Sequence, residues 1–299
     1  MNKSFTIDEP KRLDKLLAER FTGYSRSYFQ YLIKMGSITR NGKGVKKREI
    51  PAAGDEIKIF FISPPKMELT PEDISLEILY EDEAIICINK PVGMVVHPAP
   101  GHPTGTFVNA LLHHCKSLTP QDLRPGIVHR LDKDTSGVLL AAKTLEAHQK
   151  LIEDFSNRKI DKEYLTITVG KPSKESIDSP IGRHPVNRKK MAIIEMGRRA
   201  LTHFEVIDSR EGFSFVRARP ITGRTHQIRV HLKAQNTPVL GDPIYGPEKL
   251  SRKMGACRTL LHAHRLSFSH PSTGERVEII APPPEDFQKW SSYIQNILD

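Results

Sequence analysis

The sequence predicts an α+β fold, in which a mostly antiparallel, mixed sheet with flanking helices follows a small N-terminal α/β domain. A proline-rich stretch, "FFISPPKMELTPED" (60–73), separates a short basic region from the rest of the chain. Beyond it, strand-like segments outnumber helix-like ones and do not alternate with them regularly, which is typical of α+β proteins. With 38% hydrophobic residues, a chain of 299 residues can also bury a sizeable core.

The N-terminal domain is predicted to cover residues 1–65 and to contain two helices followed by a hairpin. The apolar residues of "RLDKLLAERF" (12–21) repeat at helical spacing, and Ser25 is suitable as the N-cap of a second helix. "TRNGKG" (39–44) contains the Asn-Gly pair of a tight hairpin turn, and "GDEIKIFF" predicts a further strand. Residues 66–76 are predicted to be a linker.

The remaining residues, 77–299, are predicted to form a second domain. Apolar alternation or short apolar runs predict its strands, and helical spacing predicts its helices. The predicted strands are 83–90, 137–143, 163–170, 200–207 and 213–219, with a hairpin over 262–282. The predicted helices are 106–115, a segment capped by Thr144 that carries Leu145, Leu151, Ile152 and Phe155, 225–235, and a final one near 287–298.

Positive charge is concentrated at the start of the chain. Lys and Arg number 45 against 35 Asp and Glu, a net charge of +10, and residues 1–66 contribute 14 − 7 = +7 of it. An excess of this size favours a polyanionic partner, although a charge run is usually just a solvated face. Because the basic residues collect around the second helix and the hairpin, we favour RNA binding there. The candidate contacts are Arg12, Arg26, Lys34, Arg40 and Lys43.

This basic region resembles the S4-type RNA-binding domain. The resemblance covers about residues 10–62 and rests on three segments, "RLDKLLAERF", "SRSYFQYLIKMGSITRNGK" and "AAGDEI". It implies that the N-terminal domain binds structured RNA.

The remaining bulk features predict a cytoplasmic protein. No apolar run is long enough to span a membrane, and "MNKSFTIDEP" lacks the apolar core of a signal peptide. Cys87, Cys115 and Cys257 are widely spaced and stand beside apolar residues, so we interpret them as reduced core cysteines.

Elimination leaves one charged loop as the candidate catalytic site. The chain has no GxxxxGK[ST] loop, no GxGxxG and no Cys/His set with zinc spacing, so neither a nucleotide cofactor nor a metal is predicted. "HRLDKDTSG" (129–137) places Asp132 and Asp134 between two apolar, strand-like segments. Such a loop is either a structural turn with local hydrogen bonds or a catalytic loop on a rigid scaffold.

A second constellation lies in "ITGRTHQIRVHL" (221–232). Arg224 and Arg229 cannot face one point if both are helical, because five positions turn a helix by about 140°. If the helix begins near Thr225, Arg224 lies in the preceding loop, and both guanidinium groups could approach one anion. The arginines either contact phosphates from a basic helix or pair with a catalytic carboxylate.

These two segments together resemble the signatures of the RluA-type pseudouridine synthases, in particular the RluD-like branch. Four more segments match the same family in the same order, so the resemblance spans about residues 75–285. They are "NKPVGMVVHPAPG", "KEYLTITVG", "GDPIYG" and "LLHAHRLSFSHP".

The resemblance implies that the protein isomerises uridine to pseudouridine in structured RNA, without a cofactor. Asp132 would be the essential aspartate, acting as a nucleophile or as a base at the ribose. Arg229 would pair with it, and Arg224 ranks second for that role. Arg130 would fill the gap left by the extruded base, and Tyr164 would stack on that base.

The S4-type domain favours large-subunit ribosomal RNA, in a pre-ribosomal particle, as the partner. A transfer RNA substrate is the alternative within the same activity. An RNA-binding ribosome-assembly factor without catalysis is the alternative from another functional class. The sequence predicts no membrane partner and identifies no protein partner.

Overall fold

The chain folds into two compact units, residues 1–68 and 69–299. Ser25, the predicted helix cap, and residues 66–68 of the predicted linker lie outside the described residues. The computed structural model describes residues 2–24, 26–46, 48–62, 69–99, 101–116, 118, 125–188 and 190–295.

The first unit packs two helices against an antiparallel sheet. Its described elements are β1 (Asn2–Thr6), α1 (Leu13–Arg20), α2 (Arg26–Lys34), β2 (Ile38–Arg40), β3 (Lys43–Gly44) and β4 (Glu56–Phe60). The four strands among the described residues have the order β1-β4-β2-β3. Leu13 and Leu17 of α1 pack on Phe29 and Leu32 of α2 and on Ile57 of β4. This apolar layer fixes both helices on one face of the sheet.

The predicted hairpin is present between β2 and β3. Asn41 and Gly42 both have positive φ, 50° and 78°, as a tight hairpin turn requires. Strand β1 was not predicted. It is a mostly exposed five-residue edge strand that pairs with β4 from Asn2↔Phe60 to Thr6↔Glu56. Its sequence shows little alternation of apolar and polar residues. The strand therefore depends on pairing with β4 and could not be predicted from local pattern.

The second unit is built on a large twisted sheet. Its first described elements are β5 (Ile78–Glu81), β6 (Ile85–Lys90), α3 (Phe107–His114), β7 (Ser136–Ala142), α4 (Leu145–Ser156), β8 (Asp161–Val169), β9 (Ser176–Asp178) and β10 (Ile181–Arg183). The later ones are β11 (Met191–Ile193), β12 (Leu201–Arg210), β13 (Phe213–Pro220), α5 (Gln227–Ala234), α6 (Glu248–Lys253), β14 (Leu261–Ser269), β15 (Arg276–Ile280) and α7 (Glu285–Gln295).

The sheet confirms the predicted α+β class. Its nine described strands run β5-β6-β7-β14-β8-β13-β12-β9, with β15 also paired to β14, while β10 and β11 form a separate ribbon. Among the described strand pairs only β7 and β14 are parallel. Gly137 lies at that junction with φ 110°, and a Cβ there would lie 2.1 Å from the carbonyl oxygen of Ala263. The glycine that ends "HRLDKDTSG" therefore allows β7 and β14 to approach closely.

Several elements differ from the sequence prediction in detail. Thr144 caps α4 as predicted, accepting a hydrogen bond from the backbone N–H of Ala147 at 3.2 Å. However, Leu145 and Ile152, assigned to the apolar stripe of α4, are 66% and 45% exposed, because only the face carrying Leu151 meets the sheet. The short elements β9, β10, β11 and α6 were not predicted, since none is long enough to show a period.

The cysteine prediction was wrong for one residue. Cys87 and Cys115 are buried and unbridged, as expected, but Cys257 is exposed and also unbridged. Cys257 follows Gly255 and Ala256 just after α6, where the chain turns at the surface. Among the described residues, no helix has the length and apolar character that crossing a bilayer requires.

The described end of the predicted linker is packed rather than free. Leu69 is buried against Val108 and Leu112 of α3. The side chain of Asn109 donates to the carbonyl of Thr70 at 2.8 Å, and the backbone N–H of Glu72 donates to the carbonyl of Asn109 at 3.0 Å. These contacts attach residues 69–72 to the second unit.

Candidate active site

A cavity of about 430 Å³ opens beside the sheet of the second unit. The loop that precedes β7, the first half of β8, the loop after β13 and the start of α5 all contribute to its wall. The described lining carries one carboxylate, that of Asp132, against six cationic side chains. These are Arg130, Arg158, Lys162, Arg198, Arg224 and Arg229. The cavity is thus suited to a polyanionic ligand.

Asp132 lies in the short loop before β7, and a buried lysine supports that loop. Lys90, at the end of β6, is fully buried and donates from Nζ to the carbonyls of Pro91, Met94 and Lys133 at 2.7, 3.1 and 3.2 Å. Burial lowers the pKa of Lys90 to about 8. Lys90 was not among the predicted site residues, although the matched segment "NKPVGMVVHPAPG" contains it. Its three hydrogen bonds join the 91–94 segment to the loop that carries Asp132.

Arg229 of α5 binds Asp132 and a second carboxylate at the same time. Its Nη1 donates to Asp132 Oδ2 at 2.9 Å, while Nε and Nη2 donate to the two oxygens of Asp242 at 2.7 and 2.9 Å. Burial by itself would lower the pKa of Arg229, but the hydrogen bonds and charges of Asp242 and Asp132 outweigh it and raise the pKa. The bidentate bond to Asp242 orients the guanidinium, and the third N–H then holds Asp132.

Asp242 was missed by sequence reasoning, although it belongs to the matched segment "GDPIYG". Its side chain is completely buried, and Oδ1 also accepts the backbone N–H groups of Ile244 and Tyr245 at 2.8 and 3.1 Å. The signal for Asp242 in the sequence was a carboxylate within an apolar turn segment. An apolar segment tends to be buried, and a buried charge requires a partner.

His226 and Tyr245 complete the surroundings of Asp132. His226 precedes α5 with a left-handed backbone, φ 57°, and its Nε2 lies 3.8 Å from Asp132 Oδ2. Its Nδ1 is 2.9 Å from the hydroxyl of Tyr245, and that hydroxyl accepts the backbone N–H of Met191 at 2.8 Å. Burial lowers the pKa of His226, and the charge of Asp132 partly opposes this. His226 was not among the predicted site residues.

Tyr164 projects from β8 into the cavity. Its cross-strand neighbours are Ala218 of β13 and Ala263 of β14, two small residues that leave space above the ring. Burial and the nearby charge of Asp132 raise the pKa of Tyr164, so the phenol stays neutral at physiological pH. The ring can therefore serve as an apolar platform for a planar ligand.

Arg130 and His129 have opposite environments although they are adjacent. Arg130 is exposed at the cavity, where its guanidinium can reach a ligand. His129 stacks on Phe155 with 4.8 Å between ring centroids, and its Nε2 accepts the backbone N–H of Leu140 at 2.9 Å. Burial and the charge of Lys162 lower the pKa of His129 to about 3, so the ring is neutral and holds the loop against β7.

The arginines 224 and 229 have separate surroundings. Helix α5 begins at Gln227, so Arg224 lies in the preceding loop, as one of the two sequence hypotheses required. It lines the cavity wall, where its Nε donates to the carbonyl of Arg199 at 3.1 Å. Among the described residues only Arg229 forms an ion pair with Asp132 through a guanidinium.

The five basic candidates in the first unit fall into two groups. Arg12 and Arg26 donate from Nε to the buried carboxylate of Asp14 at 2.9 Å each. Arg40 pairs with two carboxylates, Glu49 at 3.2 Å and Asp55 at 3.6 Å. Lys34 and Lys43 are exposed and form no ion pair with the described residues. Their ammonium groups are therefore the most available to a ligand.

One other cluster of possible metal ligands occurs in the described residues, away from this cavity. The donor atoms of Glu81, His114 and Cys115 lie within 4.8 Å of one another. However, the two oxygens of Glu81 already contact the ammonium of Lys143 at 2.7 Å and Nε2 of His114 at 2.9 Å. The positive charge of Lys143 makes this an ion-pair network rather than a cation site.

Comparison with known proteins identifies a single family. The model of the family described as RNA pseudouridylate synthase matches residues 84–234, a range that contains both the Asp132 loop and α5. The chain is 43% identical over 280 residues to the uncharacterized RNA pseudouridine synthase YlyB of Bacillus subtilis, covering 92% of this chain and 91% of that one. It is 42% identical over 288 residues to the ribosomal large subunit pseudouridine synthase D of Pseudomonas aeruginosa, covering 93% and 90%.

Solved structures agree with these sequence matches. The human RNA pseudouridylate synthase domain containing 4 is similar with a TM-score of 0.58 and 27% identity, over 73% of this chain and 93% of that one. The human RNA pseudouridylate synthase domain containing 1 is similar with a TM-score of 0.57, over 75% of this chain and 87% of that one. The resemblance inferred from the signature segments is thereby confirmed.

Proposed function

Because the chain belongs to the RNA pseudouridylate synthase family, we propose that it converts specific uridines of large-subunit ribosomal RNA to pseudouridine. The observation that carries this proposal is the position of Asp132, the one carboxylate of a cationic cavity, bound by Arg229 and near the ring of Tyr164. Relatives named for the ribosomal large subunit support this RNA as the substrate. The proposed setting is cytoplasmic, on the pre-ribosomal large subunit.

The reaction breaks one bond and forms another within the same nucleotide. The bond between N1 of uracil and C1′ of ribose breaks, the base turns, and C5 bonds to C1′. The hydrogen of C5 leaves as a proton, and N1 gains one, so the RNA keeps its composition. Asp132 acts at the ribose, either by attacking C1′ or by removing a proton next to it, and Arg229 holds its carboxylate in place for that step.

The target base must first leave its stack, at a cost of a few kcal/mol. Arg130, exposed at the mouth of the cavity, occupies the gap in the RNA, where a planar guanidinium can stack on neighbouring bases. The extruded uracil rests on Tyr164, whose alanine neighbours leave the ring accessible.

The activity test uses the release of tritium. In ribosomal RNA labelled at C5 of uracil, the displaced hydrogen is exchanged into water when the base rejoins. We expect release from a large-subunit transcript and much slower release from transfer RNA, followed by mapping of the modified uridine with carbodiimide-induced stops of reverse transcription. Faster release from transfer RNA would contradict the proposed substrate. RNA binding without any release would instead favour an assembly factor.

We also propose that the first unit is an S4-type domain that contacts RNA through Lys34 and Lys43. Replacing both with Gln should weaken RNA binding and reduce the slope of log affinity against log salt concentration by about 2, since each lost phosphate contact changes it by about 1. Filter binding over a salt series measures this. The control is Lys58→Gln, whose ammonium pairs with Glu56 at 3.3 Å.

Arg12 and Arg26 should respond differently from these lysines. Because both hold the buried Asp14, replacing either with Gln should lower the melting temperature of the protein.

An unchanged salt slope in the Lys34/Lys43 double variant would show that the first unit binds RNA elsewhere or not at all.

A further inference from the structure

Four cations on one wall of the cavity lack a counter-charge. They are Arg158, Lys162, Arg198 and Arg224, and none forms an ion pair with a described carboxylate. Arg158 also has φ 60°, a backbone conformation that arginine rarely adopts. Elsewhere in the sheet, arginines are neutralised by carboxylates, as Arg217 and Arg219 are by Glu163 at 3.0 and 3.2 Å. The four cations of the cavity therefore differ from these paired arginines of the same sheet.

Lys162 is the most enclosed of the four. It lies two residues before Tyr164 on β8, so the two side chains project from one face, about 7 Å apart along the strand. The neighbouring Asp161 projects to the other face and pairs with Arg276. Burial lowers the pKa of Lys162 to about 8, and the charges of Arg158 and Arg224 lower it as well, against the opposing effect of Asp161.

An ammonium that is removed from water next to two guanidinium groups destabilises the free protein. Such a group is stabilised by hydrogen-bond acceptors, as carbonyl oxygens stabilise Lys90, or by a bound anion. Among the described residues, the ammonium of Lys162 has neither a hydrogen-bond nor an ion-pair partner, which leaves that role to an anionic ligand.

We propose that Lys162, with Arg158 and Arg224, binds a backbone phosphate of the extruded nucleotide. The proposal rests on the proposed function, since the ligand is an RNA whose base lies on Tyr164 and whose ribose faces Asp132. The ribose links base and phosphate, and the separation of Tyr164 and Lys162 along β8 is of the size that one ribose can bridge. Lys162 is then a substrate-positioning residue that helps to keep the flipped nucleotide in the cavity.

The first test compares a parent, two Lys162 variants and a control variant, which all carry Asp132→Asn so that the RNA stays unreacted. The RNA is a large-subunit ribosomal transcript, and its affinity is measured by filter binding over a salt series. Lys162→Met should weaken binding about tenfold and reduce the salt slope by about 1, whereas Lys162→Arg should keep both near the parent values. The control is Lys249→Met, which removes an exposed lysine of α6 that does not line the cavity and should change neither.

The second test varies pH, because Lys162 faces few groups that titrate nearby. It is opposed by Arg158 and Arg224, flanked by Asp161, and faces the neutral ring of His129. Phosphate binding favours the charged ammonium, so the affinity should be constant below about pH 8 and fall above it. Lys162→Arg should remove this fall. Lys90, which titrates in the same range, is common to both proteins and cancels in the comparison.

The third test uses proteins that keep Asp132, so that tritium release can be measured. It distinguishes a failure of the phosphate proposal from a failure of the proposed function. With Asp132 present, Lys162→Met should raise the KM for tritium release about tenfold and lower kcat less. Equal affinity, salt slope and pH dependence in Lys162→Met and its parent would overturn the phosphate assignment even if the native protein released tritium normally. Absence of release from the native protein would instead overturn the proposed function and leave the binding measurements to decide the role of Lys162.

Discussion

Asp132→Asn is expected to lower pseudouridine formation by at least about 10²-fold while the protein stays folded and bound to RNA. The amide has the shape of the carboxylate, and its oxygen can still accept the 2.9 Å hydrogen bond from Nη1 of Arg229. It can neither attack C1′ nor take a proton from the ribose. Loss of a general base typically costs about 10²–10⁴-fold, and loss of a nucleophile up to about 10⁶-fold, so the size of the effect bears on the mechanism.

The matched control for this variant is Asp134→Asn. Asp134 is the second aspartate of the same loop, but it is not part of the cavity lining and does not contact Arg229 among the described residues. It should keep most of the native rate. Single-turnover tritium release measures both variants, and the melting temperature and RNA affinity report on folding and binding. A native rate in folded Asp132→Asn, or an equal loss in both variants, would contradict the role of Asp132.

The sequence could identify this loop but not the whole network around it. Local pattern predicted strand-like segments on both sides of Asp132, and the family signature selected it over Asp134. The segment after the loop is β7, whereas the segment before it forms only an isolated bridge, Ile127↔Ala141. Spacing also restricted the two arginines, because both could approach one anion only if α5 began after Arg224. The helix does begin after Arg224, but of the two only Arg229 pairs with Asp132 among the described residues. Helix α5 begins at Gln227, which places Arg229 in its first turn. These are properties of neighbouring residues, and sequence reasoning is most effective for them.

The missed residues act through contacts between distant segments. Asp242 and Asp132 are 110 positions apart, yet both bind Arg229, and no local pattern indicates that they share a partner. His226 faces Asp132 from a left-handed backbone, a conformation that its residue type does not indicate. In the same way, the exposure of Leu145 and Ile152 on α4 depends on which face of the helix the sheet covers. Tertiary packing decides all of these features.

Arg229→Gln is expected to affect stability and activity together. It removes a guanidinium that is 3% exposed and leaves Asp242, whose side chain is completely buried, without its counter-charge. Removing one partner of a buried ion pair typically costs about 3–5 kcal/mol in the free energy of unfolding. In a unit of this size that cost lowers the melting temperature by roughly 10 °C. Asp132 also loses its positioning contact, so the rate should fall about 10²-fold. Lys233→Gln, an exposed change on the same helix, should alter neither.

A second substitution distinguishes the two effects. Adding Asp242→Asn to Arg229→Gln removes the uncompensated charge, so much of the lost melting temperature should return. The rate should not return, because the double variant still has no cation to hold Asp132. Thermal unfolding and single-turnover tritium release on the four proteins of this cycle measure the coupling directly. If activity recovered along with stability, Arg229 would act only by stabilising the fold. If stability stayed low, the orphaned Asp242 would not be the cause of the loss, and the assignment of Arg229 as a bridge between the two carboxylates would fail.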